Sequence, residues 1–208
     1  EYSSLLADAF SLLNLLYYEN VQLLVVVCVL LLMRIINGIT GKELTTFDIF
    51  SVLGLTAYLA FDNGNSIYLM IFVLAMVFSL KTGEKMREAW IASAISIGII
   101  IVDRFFMNKL SVGSIDYSNV VTLFVVSIVG LSLILFWFLS KAETKDDKGN
   151  SVNRSKLLAS QILYSAAVLL LFFFGDVSLN NLVIYLSAAS GALLYFSGNK
   201  ILRKMRSN

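Results

Sequence analysis

Histidine and proline are both missing from these 208 residues, and cysteine occurs once. Without histidine there is no Ser-His-Asp triad, no histidine-ligated haem and no histidine-based metal centre. A single cysteine excludes an internal disulfide. Cys28 sits in "LLVVVCVLLL", where it reads as a small buried apolar residue, because a reactive thiolate needs polar surroundings. Without proline, bends must come from glycine or from Ser and Thr bonding back to their own helix. Charge is scarce too. Only 14% of residues are charged against 58% hydrophobic, with mean hydropathy +0.82. Soluble domains run nearer about 25% charged and about 45–50% apolar.

What fills the chain is apolar sequence that recurs along its whole length and leaves no polar stretch long enough for a soluble domain of the usual ~50 residues or more. The expected fold is all-α, a polytopic integral membrane helical bundle. A spanning helix needs about 20 apolar residues, with a range near 17–25. Seven runs are candidates, several of them short: 21–36, 44–61, 66–80, 89–110, 117–140, 157–175 and 181–197. They define one membrane domain over 21–200. It is preceded by residues 1–20 and followed by a basic tail, 201–208.

Orientation follows from the basic residues, which concentrate on the cytoplasmic side of membrane proteins. With seven spans, Arg104 and Lys109 lie on one side and every other Lys and Arg on the opposite one, including Lys145, Arg154 and Arg203. This predicts the N-terminus outside and the C-terminus in the cytoplasm, and the cell membrane as the location. Trp90 and Trp137 then fall at the inner interface, where indoles are enriched. In the first twenty residues Leu5, Leu6, Ala9, Leu12, Leu13 and Leu16 repeat at helical spacing opposite Ser4, Asp8 and Ser11. An amphipathic helix on the outer surface is expected there.

The charges inside apolar runs are the candidates for function. Between Ala89 and Val102 the fourth run has too few uncharged residues to cross about 30 Å at about 1.5 Å each. It must continue through "DRFFM", which places Asp103 and Arg104 within the outer part of the membrane. Neighbours on a helix point about 100° apart, so the pair cannot neutralise itself. Arg104 is expected to face the bundle, with Asp62, Asp116 or Asp176 as partner. These residues form the candidate intramembrane polar site. At the inner interface Arg34 ends one helix and Asp48 begins the next, a candidate ion pair. Small residues four apart let helices approach closely in lipid. Ala94 with Gly98, and Ser187 with Gly191, have that spacing.

"AYLAFD" and "LFFFGD" put Asp62 and Asp176 at helix ends. Neither meets the Gly-x-Gly-Asp pattern of intramembrane aspartyl proteases. No catalytic residue, cofactor or metal is expected, and no nucleic-acid partner. The expected function is non-enzymatic: a transporter or channel, or a membrane subunit of a transport or energy-coupling complex, handling a small ion or solute. Expected partners are the lipid bilayer, other membrane subunits or further copies of the chain, and the ion or solute itself. A signal-sensing or assembly module is the alternative from a second class, motivated by the outer helix and the basic inner loops. A lipid-linked glycan enzyme is the third.

Overall fold

The computed structural model describes residues 2–12, 22–37, 44–83, 85–112, 120–139, 145, 149–175, 177 and 179–206. It is 86% helix, with no strand among the described residues. The helices are α1 (Tyr2–Ser11), α2 (Leu23–Asn37), α3 (Thr46–Asp62), α4 (Ile67–Thr82), α5 (Met86–Val102), α6 (Val120–Leu139), α7 (Arg154–Phe174) and α8 (Leu179–Arg206). Each of the seven apolar runs overlaps one of α2 to α8.

Three helices are long and apolar enough to cross a membrane: Met86–Met107, Arg154–Phe174 and Asn181–Gly198. Leu23–Asn37, Ile67–Leu80 and Thr122–Phe138 are apolar but shorter. The protein is therefore a helical membrane protein. The first of the three reaches its length because α5 does not stop at the charges. It passes into a wider π-helical turn, Asp103–Met107, so the helix continues through the acid and the base.

Local sequence sets several of the ends. Thr45 caps α3 through a reciprocal box: the Asp48 N–H donates to Thr45 Oγ1 at 3.2 Å, and the Thr45 N–H donates to Asp48 Oδ2 at 2.9 Å. Asn153 caps α7 by accepting from the Ser155 N–H at 2.9 Å. α4 ends at Gly83, whose φ of 81° is costly for any residue with a Cβ.

The chain divides into two compact units. The first holds α1, most of α6, and α8. Here α1 lies along α8, and Gly191 marks the closest approach. A Cβ on Gly191 would sit 2.8 Å from the Ala7 nitrogen and 3.0 Å from its Cα. Only glycine fits there. Of the surface segment expected over 1–20, the described helix Tyr2–Ser11 is thus packed along α8, while 13–20 lie outside the described residues.

The second unit holds α2 to α5, α7 and the last residues of α6. α4 is its centre, packing against α2, α3, α5 and α7. That explains why α4 is apolar on every side: Ile67, Leu69, Phe72 and Met76 are all fully buried. Ile36 from α2, Ile49 from α3, and Leu163 and Leu171 from α7 complete this core.

Candidate functional site

At one end of the second unit, buried polar groups gather where three connections meet. α3 leads into α4 through the turn Asn63–Ser66, α5 runs out through the π-turn to residue 112, and α7 ends at Phe174. Asn65 joins them. It is fully buried; its side-chain amide donates to the Phe174 carbonyl at 2.6 Å, and its Oδ1 accepts from the Ile67 N–H at 3.0 Å. One carboxamide therefore ties off the start of α4 and the end of α7. Both ends carry backbone groups that a helix leaves unpaired.

The segment after α5 docks on the same turn by backbone bonds. The Ser66 N–H donates to the Ser111 carbonyl at 3.0 Å, and the Ser111 N–H to the Gly64 carbonyl at 3.0 Å. This two-bond bridge holds the chain beside Asp103. Asp103 is only 2% exposed, and its Oδ2 accepts from the Leu110 N–H at 2.8 Å. Its Oδ1 is buried without a hydrogen-bond partner among the described residues. The reversal between them needs Asn108 in the left-handed region, φ 49°, with its N–H bonded to the Asp103 carbonyl at 2.6 Å. Asn tolerates that conformation better than most residues do.

The expectation for the pair is reversed in part. Burial falls on Asp103, whereas Arg104 is exposed and has no carboxylate partner among the described residues. The helix phase decides this: the face of α5 that carries Ala89, Ala92, Ser93, Ser96 and Asp103 is the covered one. Arg104 falls one step round. Asp62, a predicted partner, is exposed at the end of α3; Asp116 and Asp176 lie outside the described residues.

At the other end of the unit, no Arg34–Asp48 ion pair is seen among the described residues, and Asp48 serves the cap of α3. Asp48 Oδ2 takes both the N–H and, at 2.7 Å, the hydroxyl of Thr45, while Arg34 is exposed. A carboxylate three residues into a helix finds its own backbone before it finds a distant cation. The two small-residue pairs also part company. Ser187 is buried and Gly191 touches Ala7, but Ala94 is exposed and nothing lies within 4 Å of a Cβ built on Gly98. Among the described residues no helix makes a close approach at Ala94 and Gly98.

Several buried polar residues were not singled out from the sequence. Besides Asn65 and Ser66 they include Ser96, whose hydroxyl crosses from α5 to the Leu69 carbonyl of α4 at 3.2 Å. Gln161 Oε1 and Ser165 Oγ, four residues apart on α7, are buried without hydrogen-bond partners among the described residues. One signal was available for Asn65: an Asn-x-apolar step just before an apolar run has the form of a helix start. Among the described residues no group of three or more acidic, His or Cys residues is placed to hold a metal ion.

No family model matches the chain, and neither a curated protein nor a solved structure resembles it.

Proposed function

We propose that this protein is a seven-span membrane helical bundle, N-terminus outside and C-terminus in the cytoplasm, residing in the cell membrane. It is a non-enzymatic transporter or channel, or the membrane subunit of a transport or energy-coupling complex, and it handles a small ion or solute. The observation that carries this reading is the burial of an acid inside an apolar bundle. Carboxyl groups at membrane depth are costly, and where they persist they mark ion and solute pathways. On this reading Asp103, buried at the end of α5, is such a group, with the buried Asn65 in the turn to which the same segment docks. Deeper along α7, Gln161 and Ser165 add buried oxygens without partners. In lipid these are the groups that a passing ion or polar solute would engage in place of water.

The test is reconstitution of the purified protein into vesicles, with ion-sensitive dyes and labelled small solutes as the readout. Movement above that of protein-free vesicles, reduced by Asp103→Asn or Gln161→Leu, is the expected result. Co-purification from native membrane with stoichiometric membrane proteins would identify the subunit form. Impermeability in both the isolated and the complexed states overturns the reading in favour of a sensing or assembly module.

A further inference from the structure

The π-turn that ends the helix Met86–Met107 presents apolar and basic side chains together. Phe105, Phe106 and Met107 are 79%, 84% and 57% exposed, and Arg104, Asn108 and Lys109 on either side of them are exposed as well. The helix has 22 residues. At about 1.5 Å each they cover the roughly 30 Å of hydrocarbon, so the last turn falls where acyl chains meet phosphate groups. Neither cation has a carboxylate partner among the described residues. Asp103 is buried, with its Oδ2 on the Leu110 N–H. Asp62, which ends α3 just before the turn that the segment docks on, is exposed and pairs with neither. Asp116 and Asp176 lie outside the described residues. The turn itself is tied down: the Asn108 N–H bonds to the Asp103 carbonyl, and Ser111 bonds in both directions, to Gly64 and Ser66. Groups held in place beforehand lose little freedom when a ligand arrives.

We propose that Arg104, Asn108 and Lys109 bind the phosphate of an anionic phospholipid headgroup, with Phe105, Phe106 and Met107 set against its acyl chains. Charge and amphipathic character choose this ligand together. A guanidinium donates two parallel N–H bonds to phosphate oxygens, and an ammonium supplies a point charge. The long stems of Arg and Lys lie along apolar surface while their heads reach the phosphate layer. A soluble anion would meet the cations but leave three large apolar side chains uncovered. A purely apolar partner would cover those and strand two charges. A zwitterionic choline headgroup carries its own cation to the same place, so only a lipid of net negative charge matches the patch. The proposal goes beyond the transport reading and does not depend on it, since it needs only a helix that ends at the membrane boundary.

The test reconstitutes the full chain into phosphatidylcholine vesicles with a trace of phosphatidylglycerol that carries a diazirine near the headgroup end of one acyl chain. Adducts formed by light are located by peptide mass. The expected result is labelling within residues 104–109 that excess unlabelled phosphatidylglycerol suppresses and excess phosphatidylcholine does not. A basic residue near anionic lipid is worth about fivefold in binding, so Arg104→Gln with Lys109→Gln should lower this labelling about 25-fold. The pair Arg34→Gln and Arg154→Gln removes the same charge from exposed positions at the opposite end of the second unit. It should leave labelling at 104–109 within about twofold, because such distant charges are screened. Continued shielding of the buried Cys28 from a thiol reagent shows that each variant is folded, and the competition on the wild-type chain needs no variant. Absence of adducts at 104–109, equal suppression by both lipids, or undiminished labelling in the Arg104 and Lys109 double variant overturns the proposal. Displacement by inorganic phosphate at constant ionic strength also overturns it, in favour of a site for a free anion.

Discussion

Replacing Asn65 with alanine is the sharpest available test of how the polar end of the second unit is held together. The side chain makes one bond to the Phe174 carbonyl at 2.6 Å and one from the Ile67 N–H at 3.0 Å, on a residue with no exposed surface. Truncation leaves both backbone groups without that partner in an apolar setting, and each such group costs about 1–3 kcal/mol. A combined loss near the low end, about 3 kcal/mol, corresponds to a fall in Tm of about 6–12 °C for a chain of this length. Cys28 provides the assay. It is the sole cysteine and is buried at 3% exposure in α2, so a thiol-reactive dye that fluoresces on coupling reports the opening of the second unit during a thermal ramp. Two companion variants separate hydrogen bonding from simple truncation. Asn63→Ala removes a bond from an exposed side chain to its own helix at Leu59, 2.9 Å, and should cost under about 1 kcal/mol. Asn65→Asp keeps the acceptor for Ile67 but turns an oxygen toward the Phe174 carbonyl, so it should be no better than alanine. The reasoning is refuted if Asn65→Ala unfolds within about 2 °C of wild type, or if Asn65→Asp matches wild type, since either means the two bonds do not hold the site.

Gly191→Ala should destabilise the protein by about 1–3 kcal/mol, because its Cβ would lie 2.8 Å from the Ala7 nitrogen. The same substitution should cost little in a chain that begins at residue 13, and equal losses in the two backgrounds would show that α1 is not the obstacle. Gly98→Ala should be neutral or raise stability by up to about 1 kcal/mol, since a Cβ there meets nothing within 4 Å and alanine is the better helix former; a Tm drop in detergent would mean that a second copy covers this face. Arg104→Gln should leave the unfolding midpoint unchanged, as expected for an exposed charge without a partner among the described residues, and a clear drop would reinstate a partner for Arg104. For topology, single cysteines at Asn63 and Ser178 in a Cys28→Ala background should react with an impermeant maleimide on intact cells, while one at Asn150 should stay protected until the membrane is opened. The opposite pattern would reverse the orientation read from the basic residues.

The sequence by itself determined that the chain is helical and belongs in a membrane, because both follow from composition and run length, which are local quantities. It also determined that the helix bearing Asp103 continues to Met107, since a chain that stopped at Val102 would be too short to cross. The caps at Thr45 and Asn153 are local in the same sense: donor and acceptor lie within three residues of each other. What tertiary structure alone decided was which polar groups are covered. Asp103 and Arg104 are adjacent and both charged in the sequence, and only the contact of α5 with α3 and α4 buries the first and exposes the second. Gly98 and Gly191 have equivalent spacing to a small neighbour, yet a helix lies against one and not the other. Nothing local in the sequence ties Asn65 to Phe174, 109 positions later, which the fold brings within 2.6 Å of its amide. Periodicity specifies a helix and its apolar face. Polar residues within an apolar run carry no periodic signal of which neighbour will cover them, because that depends on how distant helices pack.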